Sequence, residues 1–189
     1  MTRLWMVRHG PTHAKSMVGW SDIPADLSDK DAIGRLRAFL PDAPVVSSDL
    51  IRASATADIL TPAIRLPHDK NLREINFGNW ELRTFSEVEA EDPVRIRAYW
   101  ETPGHIAPPN GESWNAVRRR VDDAIDGYLG EGHTDLIVVA HFGVILTQVQ
   151  RALGIGAYEA FSHRIDNLSV TVLDTGDTNW TAEHINHNP

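Results

Sequence analysis

Cysteine is absent from the 189 residues, which removes disulfides, thiolate zinc sites and cysteine nucleophiles from consideration. No apolar run is long enough to span a bilayer, and no basic segment leads into a long apolar stretch at the N-terminus. No membrane partner is therefore expected, and a cytoplasmic setting is the default. Low-complexity tracts are missing as well, the 11 prolines and 13 glycines being spread along the chain. Cations are a minority: 18 basic against 26 acidic residues give a net charge of −8. Such a field attracts neither nucleic acid nor anionic lipid. An anionic substrate would need cations gathered locally. The nine histidines show no HExxH or comparable ligand spacing, so no metal and no other cofactor is expected.

Hydrophobic residues make up 42% of the chain, enough for one substantial core, and a single domain over 1–189 is expected. Leu4, Trp5, Met6 and Val7 form a short apolar run that stops at Arg8-His9-Gly10, followed by Pro11 and Thr12. The run reads as a buried strand, which puts an Arg and a His at its carboxyl end, where open α/β sheets build ligand sites. Leu136 to Ala140 is the clearest buried strand and ends in His141-Phe142-Gly143. Two histidines at matching strand ends point to a shared site, and the Phe142 backbone N–H, where a helix begins, is a candidate anion donor.

Between these strands the pattern alternates. A loop from His13 to Asp26 precedes a helix over Asp29–Leu40 capped by Ser28. Val45 and Val46 form a brief strand, and a helix from about Leu50 to Leu60 carries Arg52 in its first turn. A cation there is locally unfavourable for the helix and suits an anion site, although a surface residue paired to Asp49 is the simpler reading. Ile64 to Leu66 reads as a short strand. Glu74 and Glu81, in the segment Asn71–Glu81, are both candidates for proton transfer, and periodicity does not choose between them.

Residues 82–112 read as a lid-like excursion over the site, with a helix-like piece at Val88–Glu91 and too little apolar content for a separate core. The pocket walls are expected there. Arg118-Arg119-Arg120 reads as a solvated helical face balanced by Asp122, Asp123 and Asp126. Leu168–Leu173 and Trp180–His184 should pair as a hairpin through a turn at Asp174–Asn179, with His184 and His187 in or near a polar tail without a role. Trp20, Trp80, Trp100 and Trp114 either line a pocket or belong to the core.

Arg8-His9-Gly10 with Thr12, SSDLIRASATA around Arg52, LREINFGNWE around Glu74 and VVAHFGVI around His141 resemble the four ordered motifs of the histidine phosphatase superfamily, which includes the cofactor-dependent phosphoglycerate mutases. The resemblance covers nearly the whole chain. FGNWEL, PPNGES and HRIDNLSVTVLD are similar to its α-ribazole phosphatase branch, which acts in cobalamin synthesis. The fold this implies is a three-layer α/β/α sandwich with a mostly parallel central sheet and an antiparallel strand near the C-terminus.

By that resemblance His9 is the nucleophile, carrying the phosphoryl group as phosphohistidine. Arg8 and Arg52 clamp its oxygens, and a protonated His141 adds a donor worth roughly 3 to 4 kcal/mol. Glu74 becomes the proton donor, which leaves Glu81 structural; Thr12 and Lys15 are candidate phosphate contacts. The chain departs from the family pattern at four places: Pro11 where Glu is frequent, Lys15 where Asn is common, Leu82 where Gly follows the Trp-Glu pair, and Phe142 where a small or polar residue follows the histidine. Phe142 should narrow the pocket. The activity implied is a metal-independent phosphomonoesterase for a small molecule; mutase-type transfer and a non-catalytic phospho-ligand module are the alternatives. A homodimer has no signature in the sequence.

Overall fold

A computed structural model describes residues 1–176 and 179–189. In chain order the elements are β1 (Thr2–Arg8), α1 (Lys30–Phe39), β2 (Val45–Ser47), α2 (Ile51–Ile59), α3 (Phe85–Glu91), α4 (Pro93–Glu101), α5 (Trp114–Leu129), β3 (Asp135–Ala140), α6 (Phe142–Leu153), α7 (Ala157–Ala160), β4 (Val170–Thr175) and β5 (Trp180–His187). Single 3₁₀ turns at Lys70–Leu72 and Gly78–Trp80 flank the Glu74 segment.

The five strands lie in the order β2-β3-β1-β4-β5. β1 and β2 both run parallel to β3, and β4 is antiparallel to β1 and to β5. Four strands therefore share one direction and β4 opposes them, the mostly parallel sheet expected. Side-chain alternation along the central strands loads both faces. Leu4, Met6, Leu136, Val138 and Ala140 pack with α5 and α6 on one face. Val7, Ile137 and Val139 pack with Leu36 of α1 and Ala53 and Ala57 of α2 on the other. Fully burying each such aliphatic side chain stabilises the fold by about 1.5–3 kcal/mol.

β1 and β3 are neighbours, yet the chain leaves β1 through α1 toward β2 and leaves β3 through α6 toward β4. Connections departing to opposite sides open a crevice at the carboxyl ends of these two strands. His9 follows β1 and His141 follows β3, so the topology delivers both to that crevice.

Local departures from the sequence reading have simple causes. The cap of α1 is Asp29, not Ser28, its carboxylate accepting from Ala32 N. Ile64–Leu66 makes a single parallel bridge between Arg65 and Val45 rather than a strand. The expected polar tail is the end of β5, where His184 and His187 lie against Phe39 with ring centroids 6.4 and 4.3 Å away. Part of the turn expected at 174–179 falls outside the described residues.

The 82–112 segment is more regular than its sequence suggested. A capping box between Thr84 and Glu87 starts α3, and Asp92 caps α4 with Pro93 in its first turn. Its buried Val88, Ile96 and Tyr99 join the same core as the sheet. Trp80 and Trp114 are core residues, 3% and 1% exposed, and the Trp114 indole N–H donates to Gln150 Oε1.

Candidate active site

β1 ends by handing its last backbone groups to the neighbouring strand: His9 N donates to Ala140 O at 3.0 Å. This fixes the His9 backbone at the strand end. Asn167 Nδ2 holds the His9 carbonyl at 2.9 Å, and Gly10 N donates to Thr56 Oγ1, whose hydroxyl donates to Arg52 O. The loop after β1 is thereby tied to α2. The imidazole is 6% exposed and its Nδ1 lies 2.7 Å from Gly10 O. Since that oxygen can only accept, the proton sits on Nδ1, and the lone pair sits on Nε2.

Burial first, then the nearby Arg52 cation, pushes the His9 value down to about 3. The ring is neutral at neutral pH, as a nucleophile requires. In the unfolded chain the same group titrates near its ordinary value of about 6.5. Between those values the unfolded state holds a proton that the fold refuses, so this contribution to stability is complete above about pH 6.5 and is lost as pH falls. Unfolding by urea in phosphate-free buffer is expected to show the protein losing on the order of 2 kcal/mol more than His9→Ala between pH 6.5 and pH 5.

Arg52 is 1% exposed, and its partners are the carbonyls of Ser21 and Gly19, at 2.9 Å from Nη1 and 2.6 Å from Nη2. The simple reading that paired it with Asp49 is wrong. Asp49 is taken by a bidentate contact from Arg73, at 2.8 and 2.6 Å. Neutral carbonyls form no ion pair with Arg52 and leave its guanidinium available to an anion. Arg8 donates from Nη1 to Ile165 O at 2.6 Å, has no partner for its buried Nε, and lies over the Phe142 ring at 5.5 Å. Burial lowers both guanidinium values, and Glu74 opposes this most strongly in each.

Glu74 is 7% exposed. Its Oε1 accepts from Ile75 N at 2.9 Å and from Gly143 N at 3.1 Å, while Oε2 shares only the Gly143 donor, also at 3.1 Å. Burial raises its value, against the pull of those two amides and the two arginines. A proton is thus retained to higher pH than on an ordinary glutamate, and Oε2 is the oxygen with room to carry it.

The segment itself is clamped from outside. Arg120 donates from Nη1 to the carbonyls of Asn71 and Arg73, from Nη2 to Glu74 O, and from Nε and Nη2 to Glu112. Arg120 is therefore not part of the solvated face expected of its triplet. Glu112 in turn receives Asn76 N at 2.9 Å.

Gly143, at the start of α6, had no role in the sequence reading. A Cβ there would overlap Glu74 Oε1 and meet two Ile75 side-chain carbons at 3.1 Å. Gly143→Ala is expected to displace the carboxyl and lower kcat/KM by about 10–100-fold, with a stability loss of about 1–3 kcal/mol from overpacking. Steady-state kinetics and urea unfolding check both. Next to the Phe142 N–H expected to face an anion, the amide of Gly143 is engaged by Glu74.

His141 is fully buried with its ring centroid 5.1 Å from that of His9, edge-on. Neither ring nitrogen has a protein partner. Burial, with His9 and Arg52 adding to it, holds the ring well below the ordinary histidine value. The ring is thus neutral in the protein alone, and the protonation expected beside a phosphate dianion needs that dianion to supply the countercharge.

Arg8, His9, Arg52 and Glu74 line a cavity of about 200 Å³ together with Thr12, Ala14, Ser16, Met17, Val18, Phe77 and Phe142, and His141 lies outside this lining, against the His9 ring. Thr12 and Phe142 are both in the lining. Lys15 is exposed and lies outside the lining, between Ala14 and Ser16. No residue of 82–112 contributes a wall, because that segment packs into the core instead; the walls come from the loop after β1. Trp20 also stays out of the lining, donating its indole N–H to Glu74 O. Among the described residues no group of three or more His, Asp or Glu side chains is placed to hold a metal ion, and no helix is long and apolar enough to cross a membrane.

Known proteins share this fold. A family described as the histidine phosphatase superfamily (branch 1) matches residues 4–188. An adenosylcobalamin/α-ribazole phosphatase of Salmonella typhimurium is 30% identical, over 91% of this chain and 90% of its own. A probable phosphoglycerate mutase of Erwinia tasmaniensis is 28% identical, over 96% and 89%. The solved structure of Bacillus stearothermophilus YhfR superposes with a TM-score of 0.89 at 25% identity, covering 99% of this chain and 98% of that one. Matched along almost its full length, and with a neutral histidine between two arginines at the switch point of its sheet, the chain belongs to the histidine phosphatase superfamily, branch 1.

Proposed function

We propose that the chain is a phosphomonoesterase that works through a phosphohistidine on His9. The observation that carries this reading is the His9 ring itself, with Nδ1–H committed to Gly10 O and Nε2 left as a lone pair in a cavity floored by Arg52 and Glu74. A transition state with charge spread over three equatorial oxygens needs mainly positioning and cations, and Arg8 and Arg52 have guanidinium N–H groups to spare for it.

In the first step the Nε2 lone pair attacks phosphorus and the ester P–O bond breaks. The departing alkoxide takes the proton from Glu74 and leaves as the alcohol. In the second step Glu74, now a carboxylate, takes a proton from water as that water's oxygen attacks the phosphohistidine. The P–N bond breaks, releasing inorganic phosphate and restoring both residues. His141 and Thr12 add donors to the phosphoryl oxygens. Neither step calls for a metal.

The shape of the cavity bears on the substrate. At about 200 Å³ it is smaller than the roughly 300 Å³ at which pockets for whole small ligands begin. It encloses the phosphoryl group and leaves the alcohol at the mouth. Thr12, Ala14, Ser16, Met17, Val18 and Phe142 form the more exposed part of the lining, and none of these six is a cation; the cations of the lining are Arg8 and Arg52. A carboxylate close to the phosphate, as in a phosphoglycerate, would find two hydroxyls and otherwise apolar side chains there, with no cation among them. An uncharged alcohol with an apolar face suits this mouth, and α-ribazole 5′-phosphate, suggested by the likeness to the Salmonella enzyme, belongs to that class.

Phosphate release from a panel of monoesters, measured with chelator and without added metal, tests the reading. Efficient hydrolysis of α-ribazole 5′-phosphate or aryl phosphates over 3-phosphoglycerate is the expected result. Isomerisation of phosphoglycerate without net release would assign mutase chemistry instead, and no turnover of any ester would leave a phosphate-binding module.

A further inference from the structure

The mechanism above uses Glu74 and leaves the second carboxylate of the same segment, Glu81, without a task. Glu81 does not line the cavity, and both of its oxygens are occupied by donors of the protein itself. It is one of the most heavily used acceptors in the protein. Its Oε1 receives Trp20 N at 2.7 Å and Phe77 N at 3.1 Å; its Oε2 receives Gly19 N at 3.1 Å, Ser21 N at 3.4 Å and Ser21 Oγ at 2.7 Å.

Gly19 and Ser21 are also the two residues whose carbonyls hold Arg52. The carboxylate therefore grips the amide side of a three-residue loop, and the guanidinium grips its carbonyl side. Two further contacts tie this loop to its surroundings. Asp22 Oδ1 accepts from Ile51 N at 2.7 Å, pinning the loop to the first residue of α2. At Gly19 there is no space for a side chain, since a Cβ would overlap the Ile75 carbonyl and Glu81 Oε1. An arginine has many rotamers, and a phosphate clamp needs one of them.

We infer that Glu81 is a positioning residue: it shapes the 19–21 loop so that the carbonyls of Gly19 and Ser21 fix the Arg52 guanidinium in the pose that receives the phosphoryl oxygens. This rests on the reading of Arg52 as a phosphate ligand. An anion is suited to the task because five donors converge on it, and backbone N–H groups bound to a carboxylate make stronger hydrogen bonds than to a neutral acceptor. Glutamine, with one acceptor oxygen and an amide that repels the N–H groups it would face, cannot replace it.

The test is a double-mutant cycle on Glu81→Gln and Arg52→Ala, read as affinity for inorganic phosphate by titration calorimetry and as kcat/KM for p-nitrophenyl phosphate. Glu81→Gln in the otherwise unchanged chain is expected to weaken phosphate binding and lower kcat/KM together by about 10-fold. With Arg52 already alanine, the same substitution should change either quantity by less than about 2-fold, because its effect travels through the missing cation. Ser21→Ala, which removes a single donor to Glu81, should lie in the same direction with a smaller effect, and it carries the cycle if Glu81→Gln does not fold. Equal losses in both backgrounds, or no loss with Arg52 present, would overturn the inference and leave the phosphate clamp standing. If Arg52→Ala binds phosphate as well as the unchanged protein, the clamp fails and this inference fails with it.

Discussion

His9→Ala is expected to lower phosphate release from every monoester by about 10⁴-fold or more, while affinity for inorganic phosphate stays within a few-fold. The asymmetry follows from what the ring does. Removing a nucleophile that acts in concert with its partners abolishes nearly the whole of their joint effect, whereas the binding cations Arg8 and Arg52 remain. The held tautomer sharpens the expectation, since Nε2 is the only nucleophilic atom the ring offers while Nδ1 is bonded to Gly10 O. Rate assays paired with calorimetry check it. A loss of binding that matched the loss of rate would mean that His9 is a ligand to phosphate and not the attacking group.

Glu74→Gln should divide substrates by their leaving group. For an alkyl phosphate the departing oxygen needs a proton, and losing the donor costs about 10²–10⁴-fold. For p-nitrophenyl phosphate the phenolate leaves unaided, so phosphorylation of His9 stays fast. Water attack then lacks its base, and the phosphoenzyme accumulates. Rapid mixing is expected to show a burst of about one nitrophenolate per chain followed by slow turnover. Glutamine keeps an acceptor for the Ile75 and Gly143 amides, so the geometry survives the substitution. The pH profile of the unchanged enzyme carries the same signature. Because burial raises the Glu74 value, the rate on alkyl esters should hold to higher pH than an ordinary carboxyl allows, and fall as pH rises through that raised value.

What could be read from the sequence was what is local. The apolar runs before Arg8-His9 and before His141 are contiguous, and a buried strand needs nothing else to announce it. The motifs around Arg52 and Glu74 could be placed by their order along the chain. Partners distant in sequence were not legible. Nothing near Arg52 says that carbonyls 31 and 33 residues upstream will hold it, and the adjacent Asp49 was the natural but mistaken choice. Arg120 lies in a charged triplet and looks solvated, until the fold brings the backbone of 71–74 against it. The walls of the cavity were sought in 82–112 because that segment is irregular in composition. Its capping signals at Thr84 and Asp92 were present all along, and two short helices with single buried side chains per turn carry too weak a period to stand out. His184 and His187 looked like a tail because they are polar; they extend β5 because their rings cover Phe39.

The most direct test of the account is to trap the intermediate. The protein is mixed with a ³²P-labelled monoester, stopped in alkaline detergent within milliseconds, and the labelled peptide is identified. One alkali-stable, acid-labile phosphate per chain, located on His9 and lost on a chase with unlabelled substrate at the rate of turnover, is the predicted result. Turnover without any labelled chain, or label that persists in His9→Ala, would contradict it.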